Sequence, residues 1–61
     1  MRITVNGLQR EVGCGCAIAD LLPRPDGHAV AVNGVVVPRA DHARALADGD
    51  VVEIVSAVQG G

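Results

Sequence analysis

The sequence of 61 residues contains no phenylalanine, tyrosine, tryptophan or lysine. Without aromatic rings, a hydrophobic core must consist of valine, isoleucine, leucine and alanine side chains, and we expect it to be thin and tightly packed. Without lysine, the chain cannot form lysine-linked chains of itself. A domain of this size buries only about 60% of the surface that its unfolded chain exposes. The length therefore predicts one domain without a large catalytic cleft.

Basic residues are few and scattered along the chain. All five are arginines, at positions 2, 10, 24, 39 and 44, and the formal net charge is -2. Because they form no basic patch, we expect no binding to nucleic acid. No apolar run approaches the roughly 20 residues of a membrane span, and no apolar segment of a signal peptide follows Met1. We therefore expect a cytoplasmic protein that does not associate with membranes.

The two cysteines, Cys14 and Cys16, are separated only by Gly15. They are too close for an ordinary disulfide and too few for a disulfide framework. One interpretation makes them half of a zinc site completed by His28 and His42, or a persulfide relay. We favour two reduced thiols at a strand-to-helix turn, with both histidines solvated among turn residues. No histidine has the spacing of a catalytic triad, so we expect neither a metal site nor a catalytic residue.

The start of the chain has the pattern of a β-hairpin. A two-residue turn places Arg2 opposite Glu11, where the two charges attract each other. The same register places Arg10 on the face of Ile3, a conflict that a bulge or an arginine stem extending to solvent would resolve. The segments of this hairpin are residues 2–5, the turn Asn6-Gly7 and residues 9–12.

Apolar residues recur on one face of residues 17–22, which predicts a short amphipathic helix. Ala17 offers no side-chain oxygen to cap the helix start, so the stability of the helix must come from packing. Prolines end the helix on its C-terminal side. The apolar face consists of Ile18, Leu21 and Leu22, and the prolines are Pro23 and Pro25.

Three further strands are predicted in the second half of the chain. The first two flank the turn Asn33-Gly34 and pair through it, and Pro38 stops the second of them. A helical turn over residues 41–47 and a turn at Asp48-Gly49-Asp50 precede the last strand. The three strands are residues 29–32, 35–37 and 51–56.

Alternation in the last strand places Val52 and Ile54 on one face and Val55 and Ala57 on the other. A helix covers only one face of a small sheet, and we assign Val52 and Ile54 to the core. Val55, Ala57 and Val58 are then expected to form an exposed apolar patch that docks a partner. The alternative is that Val55 belongs to the core.

The sequence ends in Gln59-Gly60-Gly61. Glycine adopts almost any backbone conformation, so a terminal Gly-Gly can follow a narrow channel and bring its carboxylate into another protein's active site. We expect residues 1–57 to form the folded domain and residues 58–61 a flexible tail with Gly61 as its reacting residue. The alternative is a terminus without a function.

The order of two strands, a helix, two strands, a turn and a final strand is that of the ubiquitin-like β-grasp fold. This is an α+β fold in which a mixed sheet of about five strands packs on one short helix. Four segments carry a closer resemblance: Val30-Ala31-Val32-Asn33-Gly34, Val36-Val37-Pro38-Arg39, Leu46-x-Asp48-Gly49-Asp50-x-Val52-Glu53-Ile54-Val55 and Val58-Gln59-Gly60-Gly61. Through them the whole chain resembles the ThiS family, the sulfur carriers of bacterial thiamin biosynthesis. The Gly-Gly end is common to ubiquitin-like carriers, whereas Val-Pro-Arg after Asn-Gly points to this family.

Two positions depart from the family pattern. Family members often have threonine or serine where this chain has Ala17, and many have tryptophan where it has His42. The first difference predicts a helix start that frays. The second predicts the loss of an aromatic anchor at position 42.

The resemblance implies a co-substrate rather than an enzyme. An adenylating enzyme similar to ubiquitin-activating enzymes would use ATP to convert the Gly61 carboxylate to an acyl-adenylate. A persulfide donor would then supply the sulfur of a C-terminal thiocarboxylate, which thiazole synthase would accept. Gly60 and Gln59 would thread through the channel of the enzyme. The free chain would be a monomer without a bound cofactor.

Three other functions stay open at this point. A sister carrier for molybdopterin or cysteine synthesis would use the same carboxyl chemistry with a different docking surface. A ubiquitin-like modifier would form isopeptide bonds to other proteins through the same terminus. A plain interaction module would leave the terminus unused.

Overall fold

Five strands, one α-helix and one 3₁₀-helix are present in the computed structural model, which describes residues 1–23 and 27–56. The predictions for Pro25, Ala57, Val58, Gln59, Gly60 and Gly61, including the boundary at residue 57, lie outside the described residues. In chain order the elements are β1 (Arg2–Val5), β2 (Leu8–Glu11), α1 (Ile18–Leu21), β3 (His28–Val32), β4 (Val35–Val37), the 3₁₀-helix (Arg39–Asp41) and β5 (Val51–Ser56).

The strands form one mixed sheet in the order β2-β1-β5-β3-β4. β1 pairs antiparallel with β2 and parallel with β5, and β3 pairs antiparallel with β4 and with β5. The last strand therefore lies at the centre of the sheet, between the two hairpins. A mixed sheet of this order with one short helix is the ubiquitin-like β-grasp fold, as the order of elements predicts.

Among the described residues, the hydrophobic core consists of aliphatic side chains from the inward-facing strand positions, the helix and the loop before β5. Ile18 of α1 and Val52 of β5 are fully buried. Burial of one such side chain contributes about 1.5–3 kcal/mol, so a few of them dominate the stability of a small domain. The buried apolar residues of the described part are Ile3, Val5, Ile18, Val30, Val32, Val37, Leu46 and Val52.

The first hairpin has the predicted two-residue turn and register. Arg2 lies opposite Glu11, and Arg2 Nη2 is 2.9 Å from Glu11 Oε1. Both side chains are exposed, so this ion pair contributes at most about 1 kcal/mol. Arg10 lies opposite Ile3 in a continuous register without a bulge. Because β2 is an edge strand with four exposed residues, Arg10 extends into solvent, which is the second of the two predicted solutions.

Helix α1 lacks a side-chain cap at Ala17, as predicted. Ile18 is buried, and Leu21 and Leu22 are half-buried against the core, which confirms the predicted apolar face. The backbone N–H of Ala17 donates to Oδ2 of Asp20 at 2.9 Å. This contact ties the first turn back to the residue before it and opposes the predicted fraying.

The helical turn predicted for residues 41–47 lies earlier in the chain, so that prediction was wrong in position. The 3₁₀-helix begins directly after Pro38, whose carbonyl accepts a hydrogen bond from the N–H of Asp41 at 2.8 Å. Farther on, Ala45 forms a β-bridge with Ala17, and the N–H of Leu46 donates to the carbonyl of Cys16 at 2.8 Å. These long-range bonds keep the chain extended there and direct Leu46 into the core.

His42 is buried, and the prediction that it is solvated was wrong. Its exposed fraction is 6%, and its Nε2 donates to the carbonyl of Val37 at 3.1 Å. Its own carbonyl accepts a hydrogen bond from the N–H of Ala19 at 2.8 Å. The 3₁₀-helix turns this residue inward, so the imidazole anchors the segment after β4 from within. His28 also departs from the prediction, because it is half-buried in β3 rather than in a turn.

Replacing His42 with alanine is expected to lower the free energy of unfolding by about 1–3 kcal/mol. The Val37 carbonyl would lose the hydrogen bond from the imidazole, and the missing ring would leave a cavity. For a domain of this size the loss corresponds to a fall of roughly 4–8 °C in Tm per kcal/mol, measured by thermal denaturation. The matched control is His28→Ala, because His28 is less buried and its two ring nitrogens make no hydrogen bond. An equal or larger loss in the control would contradict the anchoring role.

Candidate functional site: an open face of the sheet

One face of the sheet, opposite the core, is not covered by the helix. We call it the open face and define it by Ala29, Ala31, Val36, Val51, Glu53 and Val55. Val36 and Val55 are 75% and 64% exposed. A shallow depression of about 180 Å³ lies on this face. Aliphatic side chains that remain exposed on one contiguous surface are typical of a binding site.

The depression follows from the residues of the central strands. Ala31 lies between Val36 of β4 and Glu53 of β5, and Ala29 lies opposite Val55. The alanines on β3 end at Cβ, whereas the residues that flank them on both sides are longer. The sheet surface is therefore lower along β3 than along its neighbours. The lining residues are Ala29, Val30, Ala31, Val36, Glu53 and Val55.

The structure places Val55 on the open face and separates it from the core. Val52 is fully buried and Ile54 is half-buried against the core, as alternation along β5 predicts. The alternative that Val55 belongs to the core is excluded by its exposure of 64%. Its part in docking stays a prediction, as do those of Ala57 and Val58, which lie outside the described residues.

Sequence reasoning missed the contribution of β3 and β4 to this face. Both strands are apolar at nearly every position, so their pattern does not show which side chains are covered. The signal that could have found the depression is the alternation Ala29-Val30-Ala31-Val32. It assigns the small side chains to one face and the large ones to the other.

The two thiols form no disulfide, and in the sequence they lie before all residues of the open face. Cys14 is exposed, Cys16 is half-buried, and the Sγ of Cys16 is 3.6 Å from the Ala17 carbonyl. Within residues 1–23 and 27–56, no group of three or more His, Cys, Asp or Glu side chains could hold a metal ion. In the same part of the chain, no helix has the length and apolar character needed to cross a membrane.

The fold and the open face together define a class of protein: small ubiquitin-like β-grasp domains that present an apolar sheet surface beside the strand leading to a Gly-Gly terminus. Within that class, the chain belongs to the ThiS family, whose sequence model matches residues 3–61. The crystal structure of the thiamine biosynthesis protein ThiS from Geobacter metallireducens is similar to this chain, with a TM-score of 0.76 and 32% identity over 100% of both chains. The comparison with curated proteins gives no match.

Proposed function

We propose that this chain is a sulfur carrier of thiamin biosynthesis and that Gly61 carries the sulfur as a thiocarboxylate. Membership of the ThiS family over residues 3–61 is the observation that carries the proposal. The open face supports it from the structure. Its depression of about 180 Å³ is small beside the roughly 300–1,000 Å³ of ordinary ligand pockets. Among the described residues, Glu53 is the one charged residue that lines it. Such a surface suits docking to a protein better than it suits catalysis.

The chemistry at the terminus begins with activation, because a carboxylate is a poor electrophile. In the adenylating enzyme, an oxygen of the Gly61 carboxylate attacks the α-phosphorus of ATP, and pyrophosphate leaves. The terminal sulfur of a persulfide then attacks the carbonyl carbon of the acyl-adenylate, and AMP leaves. A thiol reduces the resulting acyl disulfide, which releases the thiocarboxylate. Thiazole synthase accepts the sulfur from it.

The partners dock on the open face in this proposal. Val55 is exposed on that face, and Ser56, the next residue, ends β5. A partner that covers Val55 is therefore within a few residues of the Gly-Gly terminus. Docking at this point limits the positions that the Gly61 carboxylate can reach, which promotes reaction by proximity.

Intact-mass measurement tests the proposal. The purified chain is incubated with the adenylating enzyme, ATP and a persulfide donor. We expect its mass to rise by the difference between one sulfur and one oxygen atom. A covalent conjugate would instead indicate a protein modifier, and an unchanged mass would indicate an interaction module. If the charged chain forms but does not transfer sulfur to thiazole synthase, a sister pathway receives the sulfur.

The double substitution of Cys14 and Cys16 by serine is expected to leave sulfur charging unchanged within about twofold. In the proposal the sulfur is bound to the terminal carbonyl carbon, so no thiol of this chain takes part. Serine is close to cysteine in size, and neither thiol lies in the buried core. The rate of thiocarboxylate formation measures the effect, with thermal denaturation as the control for folding. A well-folded variant that is not charged would establish a persulfide relay through these thiols.

A further inference from the structure

Two Asn-Gly turns contact opposite ends of β5. Asn6 and Asn33 have positive φ angles of 50° and 53°, and each is followed by a glycine with a φ of 83°. Asparagine and glycine adopt this conformation readily, which favours tight hairpin turns. In both turns the asparagine side chain also leaves its own hairpin and binds the backbone of β5.

Asn6 binds both backbone groups of Ile54. The N–H of Ile54 donates to Asn6 Oδ1 at 2.8 Å, and Asn6 Nδ2 donates to the Ile54 carbonyl at 3.2 Å. Earlier on β5, the carbonyl of Val52 accepts a hydrogen bond from the backbone N–H of Asn6 at 2.9 Å. The side-chain amide has a donor and an acceptor, as a peptide group does. It therefore continues the parallel pairing by one step after β1 has ended at Val5.

Asn33 makes the corresponding contact at the start of β5. The N–H of Val51 donates to Asn33 Oδ1 at 3.0 Å, and Asn33 Nδ2 donates to Asp50 Oδ1 at 3.1 Å. The two asparagines thus match in turn type, φ angle and hydrogen-bond chemistry. They differ in which end of β5 they hold, because Val51 begins the strand and Ile54 lies near its C-terminal end.

We propose that Asn6 is a positioning residue for the transfer reaction, because it fixes the backbone near the C-terminal end of β5, the strand that precedes Gly61 in the chain. The proposal rests on the proposed function. Ile54 directly precedes Val55, so the contact from Asn6 holds the docking side chain and the last residues of β5 in one place. Strand ends open more readily than strand centres, and the side-chain amide opposes that opening. A displacement of about 1 Å at a reacting atom can lower a rate about a hundredfold.

Asn6→Gly and Asn33→Gly form the matched pair for the test. Glycine accepts the positive φ at either position, so each variant keeps its turn and loses only the side-chain amide. Three quantities are measured on both full-length variants: Tm, the hydrogen-exchange rate of the Ile54 amide, and the initial rate of thiocarboxylate formation with the adenylating enzyme, ATP and a persulfide donor.

We expect the two variants to lose similar thermal stability and to differ in the other two measurements. Asn6→Gly should speed exchange of the Ile54 amide and lower the charging rate about tenfold. Asn33→Gly should leave the Ile54 amide protected and change the charging rate less than about twofold. Equal charging rates for the two variants would overturn the positioning role. If the unmodified chain is not charged either, the proposed function fails. The hydrogen-exchange measurement then still tests whether the contact holds β5, because the Ile54 amide should exchange faster in Asn6→Gly and not in Asn33→Gly.

Discussion

A chain that ends at Gly60 is expected to melt like the full-length chain and to form thiocarboxylate at least about a hundredfold more slowly. One extended residue spans about 3.3–3.6 Å, so the deletion withdraws the reacting carbon by that distance from the nucleotide in the enzyme. A misplacement of about 1 Å is already enough to cost about a hundredfold in rate. The buried residues of the described part lie between Ile3 and Val52, so the deletion removes none of them.

The control for this truncation is its affinity for the adenylating enzyme, which we expect to be nearly that of the full-length chain because the open face is intact. Thermal denaturation and a binding titration are therefore run beside the charging assay. Normal charging of the truncated chain would refute a mechanism that acts at Gly61. A lower Tm would show that the terminus packs against the domain.

Val55→Asp is expected to weaken binding to the adenylating enzyme by about tenfold to a hundredfold without unfolding the domain. A carboxylate in an apolar interface must lose its hydration without a partner, which is unfavourable. The loss in affinity corresponds to about 1.4–2.8 kcal/mol. Folding should be kept because the Val55 side chain is 64% exposed in the free chain. A binding titration with the adenylating enzyme measures the effect.

Val35→Asp is the matched control for the docking prediction. Val35 is 66% exposed, close to the 64% of Val55, but it lies opposite Val32 on the other side of the sheet from the open face. We expect this variant to bind the adenylating enzyme with nearly unchanged affinity. Equal losses in the two variants would indicate a general effect of charge. A Val55→Asp variant that fails to fold would contradict the assignment of Val55 to the exposed surface.

Local rules of sequence were sufficient for most of the fold. The Asn6-Gly7 and Asn33-Gly34 turns each fix a hairpin register within a few residues, and the pairing of Arg2 with Glu11 follows from the first of them. Alternation in β5 was likewise sufficient to separate Val52 from Val55. These features depend on residues that are close together in the chain.

Two of the features that sequence reasoning missed depend on contacts between distant segments. His42 stands in a polar, turn-rich stretch, which gives no sign that only 6% of it is exposed. Its carbonyl accepts a hydrogen bond from the N–H of Ala19 in the distant helix α1. The contact of Asn6 with Ile54 joins residues 48 positions apart. An Asn-Gly turn signal in the sequence does not tell which strand the asparagine side chain will meet.

The most direct test of the account is to locate the sulfur within the charged chain. After incubation with the adenylating enzyme, ATP and a persulfide donor, the chain is fragmented in a mass spectrometer and the fragment that gained sulfur is identified. We predict that the gain appears only in fragments containing Gly61, in the unmodified chain and in the Cys14→Ser, Cys16→Ser variant alike. Sulfur found on fragments containing Cys14 or Cys16, with an unchanged C-terminal fragment, would contradict the account.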